Sequence, residues 1–397
     1  MPSNSEVGKP FRFVDLYAGI GGFHIACADN GGSCAGFSET DKLACRVYLS
    51  NHGDVFGIGD INKADVLPCH DLMTAGVPCQ SWSSAGRRKG FGDERGLLWF
   101  KTIEHLKKSQ PKAFLFENVK GLADPRNKDS LGEILRRITQ AGYSVKTAVL
   151  NARDYGTPQA RERLYLAGFR EAVFADRFEW PETSSVHPPL WQFLGREYAE
   201  GDDVSFIFSD VRDGPNTIHS WDLSDGLSAS LCLLMLKNRR SRRYGNKDGN
   251  PMTAEQVSDL AGFPCGDALE GLVSSGVLEK INGCYDFRNR KISSGISGVY
   301  RIVPMTSTFF PTLVASGNRD FICESPLYEG RDSARDAFIR GDYRPASRQE
   351  CAKLQGFPDG FILPDKRAEW MRLIGNSVFV PLVSKIVGEM RETGVFD

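Results

Sequence analysis

Between residues 11 and 169 the sequence alternates short apolar segments with longer amphipathic ones, and this alternation restricts the possible fold more than any other feature. The apolar segments are rich in β-branched and aromatic residues, which predicts strands, whereas the amphipathic segments predict helices. Strands that alternate with helices form a parallel sheet covered on both faces, so we predict a doubly wound α/β fold. The predicted strands are 11–16, 34–38, 54–58, 71–75, 112–116, 144–150 and 163–169, and the predicted helices are 23–29, 41–50, 95–108 and 129–141.

The first predicted strand ends in a glycine-rich turn at 18–22, and a predicted helix follows. This order is typical of a first nucleotide-binding unit. The dinucleotide pattern G-x-G-x-x-G requires a third glycine where this chain has His24, so the turn favours a nucleoside cofactor without phosphates over NAD. Glu39 lies about 20 residues after the first glycine, the distance at which an acidic residue contacts ribose hydroxyls in such folds. A carboxylate at a helix start explains Glu39 equally well.

A cysteine stands at the end of the predicted strand 71–75. Gly76 and Pro78 end the strand, and Cys79 opens a loop rich in glycine and serine. Open α/β sheets form their ligand crevice at the carboxyl ends of strands, which makes Cys79 a candidate nucleophile. The alternative is a small buried hydrophobic residue.

Charged residues mark further strand ends. The predicted strand 112–116 runs directly into Glu117, which an apolar pocket could hold protonated so that it donates a proton; a helix cap or a loop salt bridge is the alternative. Arg161 and Arg163 alternate, so strand geometry would place both on one face, although a surface salt-bridge pair explains them too. Asp60, after the predicted strand 54–58, could accept a hydrogen bond from an adenine amino group, or be a plain turn aspartate.

Composition narrows the class of protein. The 397 residues allow one large domain or two, and a net charge of -1 means that a nucleic-acid partner would need a local basic patch. The ten cysteines include no C-x-x-C pair, so we expect neither zinc nor disulfides. No apolar run approaches the roughly 18 residues of a membrane span, and the polar start does not resemble a signal peptide. These features predict a protein of the reducing cytoplasm.

Several blocks, in one order, make the chain resemble the cytosine carbon-5 DNA methyltransferases. The blocks are Phe13–Gly22, which resembles the first motif of that family, then Gly76-Val77-Pro78-Cys79-Gln80, Glu117-Asn118-Val119, Gln159-Ala160-Arg161-Glu162-Arg163, Arg348–Pro358 as the ninth motif and Gly375-Asn376-Ser377-Val378 as the tenth. Several independent motifs in the right order are far more specific than any one of them. The blocks leave the middle of the chain unmatched.

The resemblance implies a DNA (cytosine-5-)-methyltransferase of bacterial restriction-modification or defence type. Carbon 5 of cytosine is too weak a nucleophile to attack a methyl sulfonium, so a thiolate first adds at carbon 6. By resemblance Cys79 is this nucleophile and Glu117 delivers a proton to ring nitrogen 3. Arg163 then bonds the cytosine oxygen, and Arg161 supports the site. The target cytosine must be flipped out of the duplex to reach the thiol.

The implied cofactor is S-adenosylmethionine, with S-adenosylhomocysteine as product and no metal. Many relatives have a large apolar residue after the ribose-binding glutamate, and this chain has Thr40 there, so Ile61 is expected to pack on the adenine. The residues that the resemblance places at the cofactor site are Phe13, Asp15, Ala18, Gly19, Gly21, Gly22, Glu39, Thr40, Asp60, Ile61, Pro78, Leu98, Asn376, Ser377 and Val378.

Two basic segments are predicted to contact DNA. The loop 80–90 resembles the mobile loop that closes over the flipped base, and the segment 237–247 holds six positive side chains and no acid. Such a segment is usually a solvated loop, but beside a DNA cleft it suits phosphate contact. The predicted contacts are Gln80, Ser83, Arg87, Arg88, Arg239, Arg240, Arg242 and Arg243.

The expected domains are a catalytic domain from 1–180 and 366–397 and a target-recognition domain from 181–365. Within the latter, 252–287 predicts two short helices and a two-stranded wing, a winged helix-turn-helix insert. This insert either reads DNA through its second helix or is structural.

The implied partner is double-stranded DNA, with a cognate restriction endonuclease or defence-system subunits as further candidates. We expect a monomer without membrane association in the bacterial cytoplasm, at the nucleoid. A tRNA cytosine-5 methyltransferase is the nearest rival, and the long basic middle region favours duplex DNA over it. A catalytically silent DNA-binding regulator is disfavoured by the intact Cys79, Glu117 and Arg163, and a dehydrogenase by His24.

Overall fold

The structure is a computed structural model that describes most of the chain, in two compact units. The described residues are 9–78, 94–196, 205–208, 221–222, 226–238, 251–288, 290–291, 295–296, 299–305, 307–315, 320–323 and 343–397. One unit, called the sheet unit below, comprises Met1–Pro188, Pro311–Asn318 and Ser347–Asp397, and the other, the middle unit, comprises Pro189–Phe310 and Arg319–Ala346. The domain boundaries expected at 180/181 and 365/366 differ from this division, which groups residues 347–365 with the sheet unit.

The first part of the sheet unit alternates strands and helices. In chain order its elements are β1 (Phe11–Leu16), α1 (Gly22–Ala28), β2 (Gly32–Ser38), α2 (Lys42–His52), β3 (Leu72–Gly76), α3 (Glu94–Ser109), β4 (Ala113–Val119), α4 (Lys128–Gln140), β5 (Ser144–Asn151), β6 (Gln159–Ala160), β7 (Glu162–Phe169) and α5 (Ala172–Arg177). Short 3-10 turns occupy Lys120–Ala123, Pro125–Asn127 and Ala152–Tyr155.

Six of these strands form one sheet in the order β2-β1-β3-β4-β7-β5. The pairs among β2, β1, β3 and β4 are parallel, whereas β7 runs antiparallel to both β4 and β5. The predicted doubly wound α/β fold is therefore confirmed. The strand predicted at 54–58 is wrong, since only an isolated bridge joins Phe37 to Gly57. Left-handed glycines at 53 and 59 bound the segment and leave too few extended residues for a ladder.

The core of the sheet unit lies on the central strands. β3 and β4 are buried along nearly their whole length, because helices cover both faces of a parallel sheet. Trp99 of α3 packs edge-on against Phe116 at a centroid distance of 6.1 Å, and Ile134 and Ile138 of α4 belong to the same buried cluster. Burying each side chain of this size contributes about 1.5–3 kcal/mol.

The described elements between residues 189 and 346 are short. They are α6 (Leu190–Leu194), β8 (Ser205–Phe208), β9 (Trp221–Asp222), α7 (Gly226–Asn238), β10 (Met252–Thr253), α8 (Ala254–Ala261), α9 (Gly266–Ser274), β11 (Leu278–Ile281), β12 (Cys284–Phe287), β13 (Arg290–Lys291), β14 (Gly295–Ile296), β15 (Val299–Pro304), β16 (Phe310–Pro311), β17 (Asp320–Cys323) and β18 (Tyr343–Pro345). One sheet has the order β18-β17-β15-β8-β9 and another the order β10-β12-β11.

The elements from β10 to β12 include two short helices and a two-stranded hairpin, the elements predicted for the winged helix-turn-helix insert. A capping box of Thr253 and Gln256 begins α8, and left-handed Gly262 ends it. Asn282 and Gly283 both have positive φ, 52° and 77°, and form the tight turn between the two wing strands. The insert has its own apolar core, to which α7, a helix that the sequence did not predict, contributes Leu231.

The C-terminal part returns to the sheet unit as α10 (Arg348–Leu354), α11 (Arg367–Asn376) and α12 (Val380–Glu392). α12 packs on α1, and the ring of Phe396 stacks on Phe11 of the first strand at 4.3 Å. The last helix of the chain therefore lies beside the first. Residues 367–392 are long and apolar enough to cross a membrane, but they form two helices, and 67% of their most apolar window is buried inside the protein.

Candidate active site

The turn after β1 is left-handed at Tyr17, Gly19 and Gly21, with φ of 56°, 57° and 89°. A Cβ atom at Gly21 would lie 2.1 Å from Nε2 of His52, so this position requires glycine for space as well as for conformation. A Cβ at Gly19 would meet nothing within 4 Å. The turn therefore presents its backbone to open space beside Gly19.

Glu39 lies directly against this turn. Its Oε2 accepts a hydrogen bond from the backbone N–H of Gly19 at 2.9 Å. Its Oε1 accepts from the N–H groups of Thr40 and Asp41 at 2.7 and 2.8 Å. Because a carboxylate has about four acceptor positions, Glu39 can still accept hydroxyl groups from a ligand.

Of the other residues predicted on the adenine side, Ile61 contacts α3. Asp60 Oδ1 accepts from the backbone and side-chain nitrogens of Asn62, both at 3.0 Å. Ile61 is only 2% exposed, and its carbonyl accepts a hydrogen bond from His105 Nε2 at 3.1 Å. Thr40 is exposed. Ile61 is thus packed in the core, with little of its side chain open to a ligand.

Tyr17 is a residue of this region that sequence reasoning missed. Its hydroxyl lies 3.3 Å from the carbonyl oxygen of Leu98 and 3.0 Å from Oγ1 of Thr102. Burial raises the pKa of Tyr17 to about 12, so the hydroxyl stays protonated at neutral pH and can donate. The tyrosine therefore joins the glycine turn to α3. Its position inside the first block was the available sequence signal.

Phe13 and Asp15 are completely buried and support the turn from within the core. Thr74 Oγ1 donates to Asp15 Oδ1 at 3.0 Å, while the buried Oδ2 has no hydrogen-bond partner among the described residues. Burial raises the pKa of Asp15 to about 8, so this carboxyl group is mainly protonated at neutral pH. The edge of the Phe13 ring packs on His24 at 5.4 Å.

The tenth block lies on the first. A Cβ at Gly22 would lie 2.8 Å from both Oγ of Ser377 and Cγ2 of Val378, so the two chain segments are in close contact. Asn376, next to them, is exposed. The glycine turn and residues 376–378 are thus neighbours in the structure, although they are distant in sequence.

Glu117 and Arg163 face each other at the end of β4. Arg163 Nε lies 3.0 Å from Glu117 Oε1, and the two side chains are 16% and 11% exposed. The contact lacks the alignment of a hydrogen bond, and Oε1 is buried with no aligned donor among the described residues. Charge attraction therefore holds the pair, and Oε1 is free to accept a directed hydrogen bond.

Arg161 has a different environment from Arg163. It is 3% exposed, and its guanidinium donates to the carbonyl oxygens of Leu313, Gly375 and Ser377. The supporting role predicted for Arg161 is thus exerted on the backbone, because this side chain ties the block Gln159-Ala160-Arg161-Glu162-Arg163 to the tenth motif.

Two buried glutamines extend this contact between blocks. Gln159 Nε2 donates to the Leu354 carbonyl at 2.7 Å and to Gln355 Oε1 at 3.1 Å. Gln355 Nε2 in turn donates to the carbonyls of Ser377 and Val378, both at 2.8 Å. A buried, fully paired network of this kind fixes the relative positions of its strands and helices.

The predicted nucleophile and the predicted DNA contacts lie outside the described residues. These are Cys79, Gln80, Ser83, Arg87, Arg88, Arg239, Arg240, Arg242 and Arg243. The described chain reaches Pro78, and Gly76 at the end of β3 pairs with Glu117. Cys79 therefore follows the strand that ends beside Glu117. Among the residues described, no group of three or more His, Cys, Asp or Glu side chains could hold a metal ion.

The fold and these strand ends define an open α/β sheet with a ligand site at its strand ends, where a glycine turn lies at one strand end and an acid–guanidinium pair at another. The model of the C-5 cytosine-specific DNA methylase family matches residues 11–392, and the chain belongs to this family. It is a DNA cytosine-5 methyltransferase, as the sequence motifs predicted.

Curated relatives match over nearly the whole chain. The chain is 37% identical over 417 residues to the Type II methylase M.HgiEI of Herpetosiphon aurantiacus, covering 94% of this chain and 95% of that protein. It is 32% identical over 387 residues to the Type II methyltransferase M.HpaII of Haemophilus parainfluenzae, covering 96% and 89%.

Solved structures support the fold at lower identity. The S. pombe Dnmt2 methyltransferase superposes with a TM-score of 0.56 at 18% identity, covering 97% of this chain and 99% of that one. The Entamoeba histolytica methyltransferase EhMeth gives 0.58 at 15% identity with the same coverage. At these identities the likeness concerns the fold alone.

Proposed function

We propose that this chain methylates carbon 5 of a cytosine flipped out of duplex DNA, with Cys79 as nucleophile, Glu117 as proton donor and Arg163 as the ligand of the cytosine oxygen. One observation carries the proposal. Glu117 Oε1 is buried, lies 3.0 Å from a guanidinium and has no aligned donor among the described residues. A buried polar atom left in this state is expected where a ligand completes the bonding.

The residues around the glycine turn fit S-adenosylmethionine. Residues 13–22 contain no lysine or arginine, so the turn offers no cation for a phosphate, and the space beside Gly19 is open. Glu39 and Asp60 supply carboxylates for ribose hydroxyls and an adenine amino group, and Ser377 and Val378 close on the turn. When bound, the cofactor supplies an activated methyl group on a sulfonium. Ala18, Pro78, Leu98 and Asn376 complete the proposed set.

The chain's own residues then account for activation of the base. The Cys79 thiolate forms a bond to carbon 6 while Glu117 places a proton on ring nitrogen 3, which keeps charge off the ring and makes carbon 5 nucleophilic. A thiol of ordinary pKa, about 8.5, is mostly un-ionised at pH 7, so a nearby guanidinium aids this step. After methyl transfer, loss of the carbon-5 proton and of the thiol restores the aromatic ring.

Glu117 and Arg163 must part for this chemistry. Arg163 faces the carboxylate of Glu117 before the base arrives. The cytosine oxygen therefore has to replace this carboxylate as the partner of the guanidinium. Glu117 is then left to act on the ring nitrogen. Entry of the base therefore changes the partner of each group, which couples base binding to proton delivery.

The names of the relatives support a place in a Type II system for this chain as well. We propose that it modifies duplex DNA in the bacterial cytoplasm, as a monomer, beside a restriction endonuclease or defence-system subunits. In this proposal the sheet unit carries the chemistry and the middle unit selects the target. The basic residues 87–88 and 239–243 contact phosphates.

The test is transfer of a labelled methyl group from S-adenosylmethionine to mixed DNA and tRNA, followed by mapping of the modified base. We expect label on carbon 5 of cytosine in DNA, no transfer by Cys79→Ala, and retained cofactor binding in that variant. Cys69→Ala, at an exposed free cysteine of the same unit, is the matched control and should keep full activity. Label on adenine, label on tRNA alone, or turnover by Cys79→Ala would refute the proposal.

A further inference from the structure

We infer that Asn118 is a positioning residue, which holds the backbone that leads to Cys79 at a fixed distance from Glu117. This inference rests on the proposed roles of those two residues. It concerns a side chain that the mechanism above does not use.

Asn118 bridges the ends of two neighbouring strands. Its side chain is fully buried, and its Nδ2 donates to the carbonyl oxygen of Val77 at 3.0 Å. Its Oδ1 accepts from the backbone N–H of Val119 at 3.0 Å. The amide therefore uses both its donor and its acceptor on backbone atoms, one of them across the sheet.

The position of Val77 gives this bond its significance. The ladder between β3 and β4 ends at the pair Gly76 and Glu117, so Val77 is the first residue beyond it. Pro78 follows and has no N–H with which to tie the chain. The Asn118 bond thus extends the attachment of the two strands by one residue, towards Cys79.

The location of Asn118 next to Glu117 explains how one bond can set the geometry of the site. Successive residues of a strand point to opposite faces, so β4 directs Glu117 to one side and Asn118 to the other. Their Cα atoms are about 3.8 Å apart. Any shift of the Val77 backbone relative to Asn118 is therefore a shift of the nucleophile segment relative to the proton donor.

A misplacement of about 1 Å can lower a rate by about 10²-fold when two groups must act together on one ring. Substitution to leucine separates the hydrogen bonds from the packing. Asn118→Leu keeps about the volume of the side chain but has no N–H group to donate to the Val77 carbonyl. Asn118→Ala removes both bonds.

The opposing account is that this is one buried hydrogen bond among many, which stabilises the fold and nothing else. Asn30 provides the matched control within the sheet unit. Its Nδ2 donates to the carbonyls of Ala26 and Ser384 at 2.8 and 3.0 Å, joining α1 to α12 away from the strand ends. A merely structural bond at Asn118 would behave as this one does.

The experiment uses the full chain, S-adenosylmethionine and duplex DNA in which 5-fluorocytosine replaces the target base. Fluorine cannot leave as a proton does, so the covalent adduct accumulates and its formation rate can be followed on a denaturing gel. We expect both Asn118 variants to form the adduct about 10²-fold more slowly than wild type. Their affinity for S-adenosylhomocysteine, measured by calorimetry, should stay within about twofold, which also reports that they are folded. Asn30→Ala should lose stability and keep its rate.

The outcomes distinguish a failure of the proposed mechanism from a failure of the role inferred for Asn118. Wild-type protein that methylates DNA but forms no adduct would remove the proposed mechanism, and the role of Asn118 with it. Wild-type protein that forms the adduct, with both Asn118 variants forming it within about threefold of the same rate, would overturn the Asn118 inference alone. A loss of cofactor affinity equal to the loss of rate would also overturn it, since that result indicates a general structural role.

Discussion

A carboxylate of the sheet unit and one of the winged helix insert differ in their hydrogen bonding. At the end of β4, Glu117 keeps a buried oxygen without an aligned donor beside Arg163. In the insert, Glu270 of α9 accepts from Tyr285 at 2.7 Å and pairs with Lys280. The first arrangement suits a group whose bonding a ligand completes, whereas the second is complete within the fold.

The insert also shows that topology does not establish DNA contact. Residues 251–288 carry six acidic side chains and two basic ones. α9 stands where a winged helix places its reading helix, yet its charged residues are Asp267 and Glu270. DNA phosphates attract cations and repel these groups, so the charge favours a structural insert over reading through the second helix. The basic segment before it, 239–243, lies outside the described residues.

We expect the largest effect from replacement of Glu117. Glu117→Gln keeps the shape and leaves an amide that cannot deliver its proton as an acid does, so kcat should fall by about 10²–10⁴-fold in methyl transfer assays. Glu162→Gln, at an exposed glutamate paired with Lys120, is the control and should leave kcat unchanged. Equal kcat in the two variants would contradict the role of Glu117.

We expect the next largest effect from replacement of Arg161, in the same unit. Arg161→Ala removes the guanidinium donor from the carbonyls of Leu313, Gly375 and Ser377, of which Ser377 keeps its bond from Gln355, and should lower the free energy of unfolding by about 3 kcal/mol or more. Urea titration measures this. Arg170→Ala removes a single exposed bond to the Gln110 carbonyl, and its cost should stay near 1 kcal/mol. Similar costs for both would mean that Arg161 is not a structural tie.

A smaller effect tests the contact between the first and tenth blocks. Gly22→Ala forces a Cβ to within 2.8 Å of Ser377 Oγ, and should lower the free energy of unfolding by about 1–3 kcal/mol and weaken cofactor binding. The control is Gly132→Ala at an exposed position of α4, where a Cβ meets nothing within 4 Å and alanine should stabilise by about 1 kcal/mol. Thermal unfolding with and without S-adenosylhomocysteine checks both values.

We expect the smallest effect from replacement of Asp267, in α9 of the insert. Asp267→Asn should change the dissociation constant for duplex DNA by less than about twofold, measured by fluorescence anisotropy at two salt concentrations. If α9 lies against phosphates, removal of this charge would instead tighten binding clearly, and the tightening would shrink at high salt. That result would indicate that the insert contacts DNA.

Much of the site was predictable because its chemistry is local in sequence. Glu39 lies against the glycine turn and Glu117 lies two residues before the end of a buried strand, as the spacing of the blocks indicated. The insert was predictable for the same reason, since Thr253, Gly262 and the Asn282-Gly283 turn are local signals. α7 was missed because its residues are apolar on all sides and show no helical period.

The sequence by itself determined the family and most of the alternation of strands and helices between residues 11 and 169, and it named the candidate residues for the chemistry. Each of these depends on residue type and spacing within one segment. Only the tertiary structure decided that Arg161 serves the backbone, that Arg163 faces Glu117, and that Asn118 holds Val77. These contacts join segments that are far apart along the chain. Nothing in the local pattern states which distant carbonyl or carboxylate a side chain will meet, because folding alone brings them within bonding distance.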